Sequence, residues 1–255
     1  MSDNQTHSRR TAFLTAAGAT LGVGIAATAA TAPAAAAVGG SRKPGQVQVA
    51  ILLFDGFTAL DAVGPYEALC RVPGVQVTTV AVRAGLVRTD TGELGIAAAK
   101  SLDQVPRPDI VVISGGGTKA SMEDGRVLDW IRRAHRHSIW TTSVCTGSLM
   151  LGAAGLLRGV PATTYWAFRA RLKEFGAIYT PGRFVESGKI ITAAGVSAGI
   201  DMGLYLAARL AGERVGRAME LALEYDPEPP FGTGSPEKTD AETHALAMKL
   251  LTNPA

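Results

Sequence analysis

In this 255-residue chain the residue types best placed to do chemistry are Cys145 and the Thr146-Gly147-Ser148 that follow it. They come directly after residues 139–144, which read as a buried strand, so the cysteine stands where a strand gives way to a helix. At a helix start the first N–H groups lack internal partners and the dipole favours negative charge, so a thiolate there is expected to be stabilised over the thiol. The Thr146 hydroxyl can donate to the sulfur, and Gly147 lets the turn stay tight. The chemistry on offer is nucleophilic attack by sulfur. Cysteine is also a common core residue, and the local residues leave both roles open.

A second candidate is Asp61, a carboxylate set among apolar neighbours in Ala59-Leu60-Asp61-Ala62-Val63-Gly64-Pro65. It reads either as a helix N-cap or turn residue, or as a carboxyl whose pKa is raised by partial burial so that it passes a proton to or from a ligand held at Cys145. Nothing local decides between the two. Gly115-Gly116-Gly117 follows a third strand and could turn backbone N–H groups toward an anionic intermediate, with a simple strand-to-helix turn as the alternative. It is not a phosphate loop, because no Lys-Ser/Thr follows at the required spacing. No histidine adjoins Cys145, and His135 and His137 fall at the opposite end of the adjoining strand, so a Cys-His peptidase dyad has no local support.

Four segments read as strands, 47–54, 75–82, 110–114 and 139–144, with helix-period segments at 60–71 and 120–137. The first is apolar throughout except for Gln48, as in strands covered on both faces. Strand and helix in alternation predict an α/β fold with a mostly parallel central sheet and helices on both faces. Residues 87–99 read as a hairpin excursion, and 184–186 with 189–192 flank Ser187-Gly188 as a second hairpin before a helix at 198–210. Residues 241–251 carry apolar residues at helical spacing, expected to pack on the domain or on a partner subunit. Ligands of open parallel sheets gather at the carboxyl ends of the strands, and residues 55–64, the triple glycine, Cys145 and residues 194–199 all fall there.

Residues 1–37 read as an export signal. Arg9-Arg10 precedes Phe13-Leu14, an Ala/Gly/Thr run and Ala35-Ala36-Ala37. The pattern is of twin-arginine type, with two residues rather than one between the pair and Phe-Leu; an uncleaved N-terminal anchor is the other reading. The chain is thus expected in an extracellular, periplasmic or cell-envelope location, with no membrane association once the signal is removed. Residues 38–46 read as a linker, 47–237 as one α/β domain and 238–255 as a helical tail. Without residues 1–37, 23 basic residues face 21 acidic ones, a net charge of +2 that predicts no nucleic-acid partner. Cys70 and Cys145 fall on different predicted elements and are expected to be free, and the histidines form no metal-like cluster.

Taken together these residues resemble the PfpI/ThiJ superfamily of the class I glutamine-amidotransferase-like fold, and within it the isonitrile hydratase group. The resemblance rests on Leu60-Asp61 with Gly64-Pro65, residues 143–149 around Cys145, residues 151–157, Ala162-Thr163-Thr164, residues 197–201, and Leu223-Glu224-Tyr225-Asp226-Pro227 through to Glu237. It implies a flavodoxin-like three-layer sandwich with a nucleophile elbow. It also implies Cys145 as nucleophile, Asp61 as general acid/base, Thr146 as an assisting hydroxyl, and Gly116, Gly117, Tyr165 and Val196 as the substrate and oxyanion pocket. The implied activity is hydration of an isonitrile to an N-substituted formamide through a thioimidate, by a homodimer with no metal and no organic cofactor. The alternatives are another thiol enzyme of the superfamily, glyoxalase-like or amidase, or a non-enzymatic thiol redox sensor or small-ligand-binding domain. The chain departs from the family at Tyr165, where many relatives carry histidine, and at Gly232-Thr233, where Asn-Ala is common.

Overall fold

A computed structural model describes residues 45–252. The export signal expected at 1–37 and nearly all of the linker expected at 38–46 lie outside the described residues.

The chain runs from β1 (Val47–Leu52) through α1 (Ala59–Leu69) to β2 (Val75–Ala81). A hairpin of β3 (Gly85–Arg88) and β4 (Gly95–Ala98) and the short β5 (Lys100–Ser101) precede β6 (Ile110–Ile113), α2 (Lys119–Glu123), α3 (Gly125–His137), β7 (Trp140–Val144) and α4 (Gly147–Ala153). Then follow β8 (Pro161–Ala162), α5 (Arg169–Glu174), β9 (Ile178–Tyr179), a hairpin of β10 (Phe184–Ser187) and β11 (Ile190–Ala193), α6 (Ala198–Ala211), α7 (Glu213–Ala222) and α8 (Ala241–Thr252).

Seven strands form one sheet in the order β10-β11-β7-β6-β1-β2-β5, in which only β10 runs antiparallel to its neighbour. Helices α1 and α6 pack together over it, while α3 and α4 pack together as a second pair. This is the flavodoxin-like three-layer arrangement, and its strand order switches direction between β1 and β6, where such folds place their sites. Residues 49–52 of β1 and all of β6 are fully buried, so their apolar side chains serve both faces of the sheet. Strand β7 is built differently. Its Thr141, Thr142 and Ser143 are equally buried, and Thr142 Oγ1 donates to Val111 O at 2.9 Å.

Close packing of α1 on α6 sets where Asp61 lies. A side chain at Gly203 would bring its Cβ to 2.6 Å from Ala68 Cβ, so glycine alone lets the helices approach. The single helix expected over 120–137 is two helices. Asp124 leaves helical geometry at φ −82°, ψ 105°, and its carboxylate accepts Arg126 N–H at 2.9 Å, capping α3. Helix α7 was not foreseen, and the first hairpin opens at Gly85 rather than 87.

Candidate active site

Cys145 follows the last residue of β7 with φ 57°, a left-handed conformation that costs a non-glycine residue about 1–3 kcal/mol and persists only when its surroundings enforce it. Here they do. Its N–H donates to Ala194 O at 2.7 Å beyond β11, and its carbonyl accepts from Ser148 Oγ and Thr164 Oγ1, each at 3.1 Å. The result is a nucleophile elbow that holds the sulfur at the carboxyl edge of the sheet.

Asp61 is in the first turn of α1 and fully buried; Thr58, not Asp61, occupies the N-cap position. Its Oδ2 accepts Gly115 N–H at 2.8 Å. Burial pushes this carboxyl up to about 7, with the Gly115 N–H and the Cys145 thiol holding it down in part. The carboxyl and the thiol therefore face each other at the ends of β1, β6 and β7. Of the two readings of Asp61, the raised, partnered carboxyl is the one this geometry supports.

The thiol differs from expectation. Burial pushes Cys145 well above the ordinary thiol range and the Asp61 carboxylate pushes it further, against the N–H groups of Thr146 and Val196 and the Thr146 hydroxyl. The fold therefore pushes this sulfur toward the thiol, away from the thiolate that a helix start alone would favour. Helix α4 is only Gly147–Ala153 and the residue is 5% exposed, so lost hydration outweighs the few N–H groups at the helix start. Val196, at φ 20°, is itself strained into place.

The triple glycine does not supply free donors. Gly115 N–H serves Asp61, Gly116 N–H donates to Thr146 Oγ1 at 2.8 Å, and Gly117 N–H donates to Gly56 O at 2.8 Å. Gly116 and Gly117 thus depart from the oxyanion role expected of them; the N–H groups aimed at sulfur are those of Thr146 and Val196. What the glycines provide is room. A Cβ at Gly115 would lie 2.6 Å from Thr146 N, 2.7 Å from Asp61 Oδ2 and 2.8 Å from Cys145 Cβ. Thr146 Oγ1 also donates to Gly116 O at 3.0 Å, tying the elbow to the glycine loop.

Outside the pair lies a cavity of about 460 Å³ whose walls include Leu60, Thr164, Tyr165 and Val196, the immediate neighbours of Asp61 and Cys145. Neither member of the pair forms the wall itself. The Tyr165 ring covers Gly195, where an added Cβ would meet Cδ2 at 2.9 Å. Burial pushes the Tyr165 phenol up, against a hydrogen bond with Trp166, and the Asp61 carboxylate adds to the rise. Gly234–Glu237 close the far side, with Glu237 Oε1 accepting from Arg169 Nη1 at 2.7 Å. Arg169 is not among the residues the sequence singles out; of the two hydroxyls that hold the Cys145 carbonyl, Ser148 stands in the Cys145 run and Thr164 in the Thr163-Thr164 pair.

His135 Nδ1 is bonded to Thr141 Oγ1 at 2.9 Å, at the start of β7, while His244 packs its ring on Trp166. Among the described residues no three His, Cys, Asp or Glu side chains gather to hold a metal ion, and no helix is long and apolar enough to cross a membrane. Cys70 and Cys145 are both free thiols.

The chain is 42% identical over 192 residues to the isonitrile hydratase of Pseudomonas putida, covering 75% of this chain and 84% of that one. A ThiJ/PfpI family protein from Pseudomonas syringae superposes with a TM-score of 0.78 at 36% identity, over 82% of this chain and 87% of the other. DJ-1beta of Drosophila melanogaster shares the fold, with a TM-score of 0.64 at 23% identity over 70% of this chain and 98% of its own. The DJ-1/PfpI family pattern matches residues 47–209, the stretch that carries the Asp61 turn, the glycine loop and the Cys145 elbow. By that match the chain belongs to the DJ-1/PfpI family.

Proposed function

We propose that this protein hydrates isonitriles to N-substituted formamides, with Cys145 as nucleophile and Asp61 as proton carrier. The observation that carries the proposal is a buried thiol facing a carboxyl pushed up to about 7. Near neutrality the sulfur keeps its proton and a good part of the Asp61 carboxyl is ionised, so a base stands beside the S–H to move that proton to carbon. Asp61 carboxylate takes the S–H proton as sulfur bonds to the terminal isonitrile carbon, then returns it to that carbon to give a thioimidate. Water then adds across the C=N bond, oxygen to carbon and one proton to nitrogen. The C–S bond breaks, the remaining hydroxyl proton reaches sulfur through Asp61, and the formamide leaves. Thr146 N–H and Val196 N–H stabilise the charge that develops on sulfur at each step. Thiol and carboxyl supply nucleophile and proton between them, so this chemistry needs no metal or organic cofactor.

Shape favours the same substrate. A sulfur this enclosed suits the one-atom tip of a linear isonitrile better than a branched amide. A raised thiol also argues against a peroxide sensor, which needs thiolate at rest. The kinship with a protein named isonitrile hydratase agrees with this proposal. Export by the N-terminal signal and assembly as a homodimer belong to it, checked by cell fractionation and by light scattering. The deciding experiment incubates purified protein with cyclohexyl isonitrile and follows formamide by NMR. Formamide that disappears with Cys145→Ala is expected; no formamide, or undiminished turnover in the variant, would overturn the proposal.

A further inference from the structure

The proposed hydration takes place at Cys145, beside the cavity, whose wall carries Arg169. A guanidinium offers two edges suited to carboxylates, and the edge formed by Nε and Nη2 accepts side-on, two-bond pairing. In Arg169 the Glu237 carboxylate takes Nη1, and the Tyr179 ring lies under the guanidinium with its centroid 5.1 Å from Cζ. Nε is buried and has no acceptor among the described residues. A buried N–H without a partner costs about 1–3 kcal/mol, a cost that a carboxylate drawn onto the Nε/Nη2 edge would remove. The neighbouring Arg183 differs, its Nε bonded to Asp201 at 2.5 Å and its two Nη atoms to Ser197 Oγ at 3.2 Å. Each of the two arginines lining the cavity is paired with a carboxylate, Arg169 with Glu237 and Arg183 with Asp201, so what sets Arg169 apart is its unpartnered Nε.

We infer that Arg169 is an anion subsite for the tail of the substrate: the preferred isonitriles carry a carboxylate, and the products are N-formyl amino acids. This rests on the hydratase proposal above. Glu237 holds the guanidinium flat on Tyr179 through Nη1 and leaves the Nε/Nη2 edge to pair with the substrate carboxylate, while Tyr165 and Trp166 border the space between tail and reacting carbon.

The test compares kcat/KM for isocyanoacetate and para-isocyanobenzoate with that for their methyl esters, which keep the shape and remove the charge. The expected acid-to-ester ratio is about tenfold or more, the worth of one charge-assisted bidentate contact. It falls to about one in Arg169→Met. Glu237→Gln, which removes the competing carboxylate, raises the ratio, a gain that misfolding does not produce. Ratios near one in all three proteins, with neutral isonitriles still hydrated, would overturn the subsite and leave the hydratase proposal standing. If no isonitrile is turned over, the hydratase proposal fails, and calorimetry with N-formylglycine against N-methylformamide still reads the subsite. Binding of the acid alone, lost in Arg169→Met, supports it; equal binding or none overturns it.

Discussion

At the inner end of the site Cys145 and Asp61 are 5% and 0% exposed, and the backbone around them is bonded on both sides of the elbow. The outer end, from Tyr165 to Glu237, is partly open to solvent and held by side chains, chiefly the Arg169–Glu237 pair at 33% and 63% exposure. At the inner end burial shifts two ordinary groups, raising both the Asp61 carboxyl and the Cys145 thiol. At the outer end, solvent screening keeps each contact weak, so the same residues can change without unsettling the fold. Substitutions inside should therefore change rate and stability together, and substitutions outside should change substrate preference alone.

The largest expected effect comes from Cys145→Ala, which should lower kcat by about ten-thousandfold or more, as loss of a covalent nucleophile does; intact-mass detection of a trapped thioimidate on native protein but not on the variant checks the role. Asp61→Asn should cost about a hundredfold to ten-thousandfold in rate by removing the proton carrier, yet make the protein more stable. Below about pH 3.8 the native carboxyl is protonated whether the chain is folded or not, and its burial carries no ionisation penalty. Between there and about 7 the unfolded chain loses the proton first, so stability falls as pH rises, and above 7 the full penalty is present. At pH 8 the variant should gain on the order of 4 kcal/mol, a gain that fades toward pH 4 in urea titrations. An equal gain at both pH values would refute the raised carboxyl.

The pH dependence of native activity follows from the same group. Because Asp61 must be ionised to receive the thiol proton, kcat/KM should fall about tenfold per pH unit below about 7 and level off above it. Gly115→Ala should destabilise the fold by about 1–3 kcal/mol and slow turnover, since its Cβ collides with both members of the pair. Smallest is Glu237→Gln, expected to leave the melting temperature unchanged because the ion pair is largely solvated. A clear loss of melting temperature there would break the contrast between the two ends.

Much of the frame was legible in the chain. The mostly apolar runs at 47–54 and 110–114 marked buried parallel strands because a strand covered on both faces favours apolar side chains, although β7 buries Thr141, Thr142 and Ser143 as well, and Ser187-Gly188 marked the late hairpin. The break at Asp124 was not legible, since a polar residue inside an amphipathic helix reads the same whether it is exposed or capping the next helix. Cys145 and Asp61 stood out because both follow strands of a parallel sheet, where connecting segments meet at one edge.

By itself the sequence determined which residues arrive at that edge and in what order. The tertiary structure decided their charge. Whether Cys145 rests as thiol or thiolate depends on how much water the fold removes from it and on a carboxyl 84 residues away in the chain, and neither is a local property. It also decided that Gly116 and Gly117 spend their N–H groups on Thr146 and Gly56, and that Glu237 reaches back to Arg169. Hydrogen bonds and desolvation are settled by neighbours in space, and only the folded chain names those neighbours.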